Sequence, residues 1–125
     1  MTVAGGRAVD IDQITDATLL WHWSPTANRE SIETSGLRIR QPSPQGVAIR
    51  GPYVAFGLDP LGAWQMSGEP FARAARSWDL WMVRYGDLRG LCEVIPYDDL
   101  SPREVRCYRS VRPAAVDYVA TRRSR

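Results

Sequence analysis

The feature that most restricts the fold of this chain is the way its apolar residues are broken into short runs of strand composition. Six such runs can be read: Thr18–Trp23, Tyr53–Phe56, Trp78–Tyr85, Leu91–Ile95, Glu104–Val111 and Val116–Ala120. They are rich in β-branched and aromatic residues, as strands are, and Pro, Gly, Asn or Asp separates them. Helix signals are fewer and fall mostly in the first half. Ser24-Pro25 reads as a helix N-cap followed by Pro at the first helical position, with the helix running to about Ser35. Gly36 fits its C-terminal left-handed cap, and Leu37–Arg40 resumes an extended segment. Asp59-Pro60 repeats the signal and opens a helix through Leu61, Trp64 and Gln65. Ser67–Pro70 reads as irregular and Ala72–Arg76 as a short helical piece. Six strands with two or three short helices, not arranged as βαβ repeats, predict an α+β fold.

Organisation follows from punctuation. The 125 residues suit one domain, expected over residues 18–120, between a loose polar arm (1–17) and a basic tail (121–125). Residues 41–52 hold three Pro and two Gly and predict a loop placed to cover a site. All 16 basic residues are Arg, which suggests a GC-rich coding source such as an actinobacterium or its phage. Without Arg122, Arg123 and Arg125 the balance becomes 13 Arg against 14 acids, so the basic character is largely a property of the tail. No electropositive body demands a nucleic-acid partner. The N-terminus lacks a hydrophobic h-region and no apolar run approaches a membrane span, so a cytoplasmic chain is expected, with no membrane partner.

The two cysteines, Cys92 and Cys107, allow at most one disulfide and are expected to be reduced and partly buried. A single His and no paired-Cys pattern predict no metal.

Three features have the residue types for chemistry. His22, the only histidine, ends a strand between two tryptophans just before a helix start, where a ring N–H and the Ser24 hydroxyl could meet a ligand. The plainer alternative is a half-buried histidine satisfied by backbone. Tyr53 and Trp64, eleven positions apart across a turn, could face each other and clamp a flat heterocycle, or be two ordinary core aromatics. Glu104 could accept bonds from a sugar hydroxyl and stabilise a developing cation, or be an exposed strand residue paired with Arg103 or Arg106.

In order along the chain, these features resemble the ADP-ribosyltransferase superfamily in its His-Tyr-Glu branch. "LWHWSPTANRESIETSGL" is similar to the family's strand, His-x-Ser/Thr, helix, Gly-Leu opening. "PYVAFGLDPLGAW" resembles its strand-Tyr segment followed by a helix with a second aromatic, and "EVRCYRSVRPAAVDYV" its late glutamate strand and closing strand. The resemblance implies a split, strongly bent pair of small antiparallel sheets with NAD as substrate in the cleft between them. It implies that His22 and Ser24 contact the adenine-side ribose region, that Tyr53 stacks on nicotinamide with Trp64 as second wall, and that Glu104 stabilises the oxocarbenium-like transition state. ADP-ribose would then pass to a protein or nucleic-acid acceptor, or to water. Trp23 stands where the family often has Gly, and must point away from the ligand; Glu93 is a rival for Glu104. The RNA 2′-phosphotransferases share the fold and use His and Arg on their ligand. Two other readings remain open at this point: a catalytically inactive binding module of the same fold for a nucleotide or partner protein, and a small phage or host-modulating interaction protein.

Overall fold

The computed structural model describes residues 14–39, 53–88, 90, 92–96 and 102–123. The loop expected over 41–52, most of the N-terminal arm and all but the last residue of the polar turn that the sequence suggests over Tyr97–Pro102 lie outside the described residues.

The aromatic run that opens the domain forms β1 (Leu19–Pro25), which continues past the expected stop at Ser24. Pro25 has φ −52° and ψ 139°, an extended conformation that the fixed proline φ allows as readily as a helix start. Pairing with β3 (Ser77–Arg84) runs from Leu19↔Arg84 to Pro25↔Trp78, and this long ladder outweighs the local cap signal. A tight turn at Thr26–Asn28 then leads into α1 (Arg29–Ser35). Gly36 ends α1 at φ 80°, with its N–H on the Ile32 carbonyl at 2.8 Å. A Cβ on Gly36 would collide with the Val111 carbonyl, so positive φ and close approach both require glycine there.

After β2 (Val54–Gly57), Asp59 caps α2 (Pro60–Ala63) as its sequence predicts, its carboxylate accepting from the Gly62 N–H at 2.6 Å. The turns continue through a wide π-type turn at Trp64–Gly68 and a tight helix at Glu69–Ala74, so the predicted irregular stretch and helical piece form one coiled run. β4 (Cys92–Pro96), β5 (Pro102–Cys107) and β6 (Val116–Arg123) complete the strands. β6 extends beyond its predicted end, because Arg122 and Arg123 pair with Trp78 and Ser77.

The result is mixed helix and strand around one open six-stranded sheet in the order β4-β5-β2-β1-β3-β6, with every neighbouring pair antiparallel. Where two separate small sheets were expected, there is one sheet with a narrow joint. β2 and β5 pair along their length, Val54↔Cys107 to Gly57↔Glu104, whereas β1 and β2 share the single pair Trp21↔Gly57. The sheet is therefore two three-stranded halves, β4-β5-β2 and β1-β3-β6, meeting at one position.

Side-chain alternation sorts the strands into two faces. Leu20, Phe56, Val83, Val105 and Cys107 are buried on one of them, covered by Ile32 of α1 and by Leu37 and Val111. Leu37 and Val111 exchange backbone hydrogen bonds of 2.9 and 2.8 Å, which fastens the end of α1 over that core. The sequence of the Glu104–Val111 run alternates, with Val105 and Cys107 opposed to Glu104, Arg106 and Tyr108, and Glu104 and Arg106 indeed lie on the opposite face from Val105 and Cys107.

Candidate functional site

The joint between the half-sheets is built by two small features. Gly57 has no Cβ, and the space one would fill is taken by Ala63, so α2 presses directly on β2 at this point. Beyond Trp21↔Gly57 the His22 ring supplies a cross-strand bond of its own: Nδ1 lies 2.8 Å from the Ala55 carbonyl. A carbonyl only accepts, so Nδ1 carries the proton in this bond. The ring is half-buried and tilted against Phe56, with centroids 5.8 Å apart. The backbone-satisfied histidine foreseen as the plainer alternative is thus present, and it stands at the sheet's weakest seam.

Glu104 is directly opposite Gly57 and only 5% exposed. Its Oε1 accepts from Arg106 Nη2 at 3.3 Å. Pairing with Arg106 was one of the expected alternatives, but in a buried rather than exposed setting. The Arg106 guanidinium also lies over the Tyr53 ring, 4.7 Å from its centroid, and the Glu104 bond raises the Arg106 pKa. Tyr53 meets Tyr108 edge-on at 5.5 Å. Tyr108 donates to Glu93 at 2.5 Å, and this bond raises the phenol pKa by fixing its proton. Glu93 is exposed on the edge strand β4; Glu104 is buried beside the joint. Of the two rivals, Glu104 has the environment in which a carboxylate acts strongly on a nearby charge.

Trp64 belongs to another aromatic group. It is 5% exposed and meets Trp23 at 5.2 Å and Trp78 at 5.7 Å, both edge-on. Arg122 lies over its ring at 4.2 Å, and Gly68 leaves room for the ring behind. Trp23 turns toward α2, its indole N–H donating to the Pro60 carbonyl at 2.9 Å. Tyr53 and Trp64 therefore sit in different ring groups, one with β5 and the other between β1, β3 and β6. Ser24 is buried and accepts from Asn28 Nδ2 at 3.1 Å.

Sequence reasoning missed the polar hub on the core side of β3. Asp79 is fully buried and accepts from Arg29 Nε and Nη2, both at 2.8 Å, from Thr26 at 2.9 Å and from Thr121 at 2.7 Å. An ionised carboxylate only accepts, so both Thr protons are committed to it. Ser77 must then donate to Thr26, and Tyr118 to Thr121. Burial raises the Asp79 pKa, but the bonds from Arg29, Thr121 and Thr26 outweigh it and hold the group ionised, below the usual carboxylate range. The hub ties the entry to α1 onto β3 and β6, and so fixes the end of β1 that carries His22 and Ser24. One signal was available: a lone Asp inside the otherwise apolar run Trp78–Val83.

Among the described residues, no group of three or more His, Cys, Asp or Glu side chains could hold a metal ion, and no helix is long and apolar enough to cross a membrane. Comparison with known proteins finds no matching family model and no matching curated protein.

Proposed function

We propose that this chain has the chemistry of an ADP-ribosyltransferase. In this reading it cleaves the nicotinamide–ribose bond of NAD and passes ADP-ribose to a protein or nucleic-acid acceptor, or to water. One observation carries the reading: the carboxylate of Glu104 is buried across Gly57 at the single joint of the sheet, on the face that also carries Arg106 and Tyr53.

In the reaction, Glu104 faces the positive charge that grows on the nicotinamide-side ribose as the glycosidic bond breaks, and then draws the proton from the incoming nucleophile. Its burial strengthens this attraction. Tyr53 offers a face to the nicotinamide ring once Arg106 shifts from it. His22 and Ser24, which the resemblance makes ligand contacts, alternate onto the opposite, core face with Leu20, and in this reading they hold β1 at the joint instead of touching the nucleotide. Trp64, the second wall that the resemblance implies, is packed away from Tyr53 among Trp23, Trp78 and Arg122 and takes no part in the site in this reading.

The test is release of free nicotinamide from NAD, alone and with cell lysate. Glu104→Gln is expected to lower the rate roughly a hundredfold or more, the scale seen when one preorganised electrostatic contact is lost. His22→Ala, which removes the ring bond to Ala55 at the joint, is expected to weaken NAD binding. Equal release by wild type and Glu104→Gln, or no release and no labelled acceptor in any lysate, would sink the enzyme reading.

A second reading is a binding module of the same class without catalysis. Two observations favour it: Arg106 neutralises Glu104, and Trp64 is enclosed by Trp23, Trp78 and Arg122. Quenching of tryptophan fluorescence by NAD with no nicotinamide release would select it.

A further inference from the structure

Outside the candidate site, β4 and β5 place two thiols side by side. Cys92 and Cys107 are directly opposite in the antiparallel ladder, and both are free. Opposed residues in such a ladder have Cα atoms about 4.5–5.5 Å apart, inside the roughly 4.4–6.8 Å that a disulfide requires. The Cys107 thiol donates its proton to the Arg109 carbonyl at 3.2 Å. Cys107 is fully buried in the core, while Cys92 is half-buried and belongs to β4, the outer strand of the sheet, which among the described residues pairs only with β5.

We propose that Cys92 and Cys107 are the site of a reversible intramolecular disulfide, closed by a low-molecular-weight disulfide of the glutathione type, which fastens the edge strand β4 to β5. The proposal is independent of the NAD reading.

Closing the bond needs no change of register, only rotation of the two side chains. While β4 is docked, desolvation and the neighbouring Cys107 push the Cys92 thiol up to about 12 and protect it from exchange. Opening of an edge strand is a low-energy local event and relieves both effects. The Cys92 thiolate then attacks the S–S bond of the small disulfide, forming a mixed disulfide and releasing one small thiolate. Cys107 gives up its proton and attacks the Cys92 sulfur, which expels the second small thiolate. The two protein thiols are oxidised by two electrons, the small disulfide is reduced to two thiolates, and these take up the two protons released. Redocking of β4 buries the new bond. It also holds Glu93 of β4 beside Tyr108, the ring that packs on Tyr53.

The experiment equilibrates the full chain in glutathione buffers from fully reduced to fully oxidised, followed by acid quench, denaturation, alkylation with N-ethylmaleimide and intact-mass measurement. In oxidising buffer the chain is expected to lose both alkylations, carry no glutathione and be two hydrogens lighter than the reduced form. It is expected to show no disulfide-linked dimer and to return to two alkylations with dithiothreitol. Closing a loop of 15 residues is expected to raise the melting temperature by roughly 10 °C. Cys92→Ser, at the half-buried position, should abolish that rise, and Cys107→Ala should do the same from the other side. Two alkylations in every buffer, a glutathione adduct that persists without ring closure, or a disulfide-linked dimer would each overturn the proposal.

Discussion

Replacing Asp79 by Asn is the sharpest test of how the β1 end of the site is held. Three donors converge on Oδ1 (Thr26, Thr121 and Arg29 Nη2) and one, Arg29 Nε, on Oδ2. An asparagine with its oxygen at the Oδ1 position keeps three acceptor contacts without the charge. It places an NH2 against Arg29 Nε–H, so two donors oppose each other. Hydrogen bonds to a charged group contribute about 1.5–3 kcal/mol each and neutral ones about 0.5–1.5 kcal/mol. Removing one such bond and weakening three overlapping ones amounts to ~3 kcal/mol, near the lower end of the range for breaking a buried pair. The lower end applies because the Arg29 side chain is 38% exposed and regains water when it loses its partner. For a chain of this length ~3 kcal/mol lowers the melting temperature by roughly 10 °C.

Acid gives the same prediction a sign. The folded pKa of Asp79 is depressed, so its contribution is complete above the unfolded value, about 3.9, and is lost as pH falls through the folded value. The difference in urea midpoint between wild type and Asp79→Asn, measured from pH 7 down to pH 3, should therefore be largest at neutral pH and close below about pH 4. Other carboxylates titrate in both proteins and cancel in that difference. A variant within about 0.5 kcal/mol of wild type at pH 7, the level of an ordinary surface substitution, or a gap that stays constant into acid, would refute the reasoning.

Gly57→Ala sets a methyl group against Ala63 and is expected to destabilise by about 1–3 kcal/mol, the usual cost of overpacking, in a denaturant titration. Gly36→Ala meets the Val111 carbonyl at a positive φ and should lower the melting temperature more than an alanine substitution elsewhere in α1, for example at Glu33. Because desolvation and the neighbouring Cys107 raise the Cys92 thiol, native Cys92 should react with an alkylating reagent near pH 8 more slowly than in the denatured chain; comparable rates would contradict the buried thiol pair. Arg122→Gln removes the cation over Trp64 and should change tryptophan emission without altering nicotinamide release, which a steady-state spectrum and the release assay check together.

What could be read locally was read correctly where a few neighbouring residues decide the outcome. Asp59-Pro60 holds its cap through a bond to Gly62, three positions on, and Gly36 ends α1 through a bond to Ile32, four positions back. The alternation Val105, Cys107 against Glu104, Arg106 survives because a strand has period two whatever it pairs with. The Ser24-Pro25 signal misplaced the start of α1, because Trp78, more than fifty positions away, extends the ladder to Pro25.

The sequence by itself determined that this is an α+β chain of short strands and minor helices, and it marked His22, Tyr53 and Glu104 as residues with the right chemical types. Only the tertiary structure decided that β1 and β2 meet at a single pair, that Glu104 is buried across Gly57 while Glu93 is exposed, that Tyr53 and Trp64 belong to different ring groups, that Asp79 organises Thr26, Arg29 and Thr121, and that Cys92 faces Cys107. The division has a physical cause. Propensity, capping and alternation act over a few residues, whereas burial and charge pairing depend on partners such as Arg29 and Asp79, 50 positions apart, or Thr121 and Asp79, 42 apart, which meet only when the sheet closes.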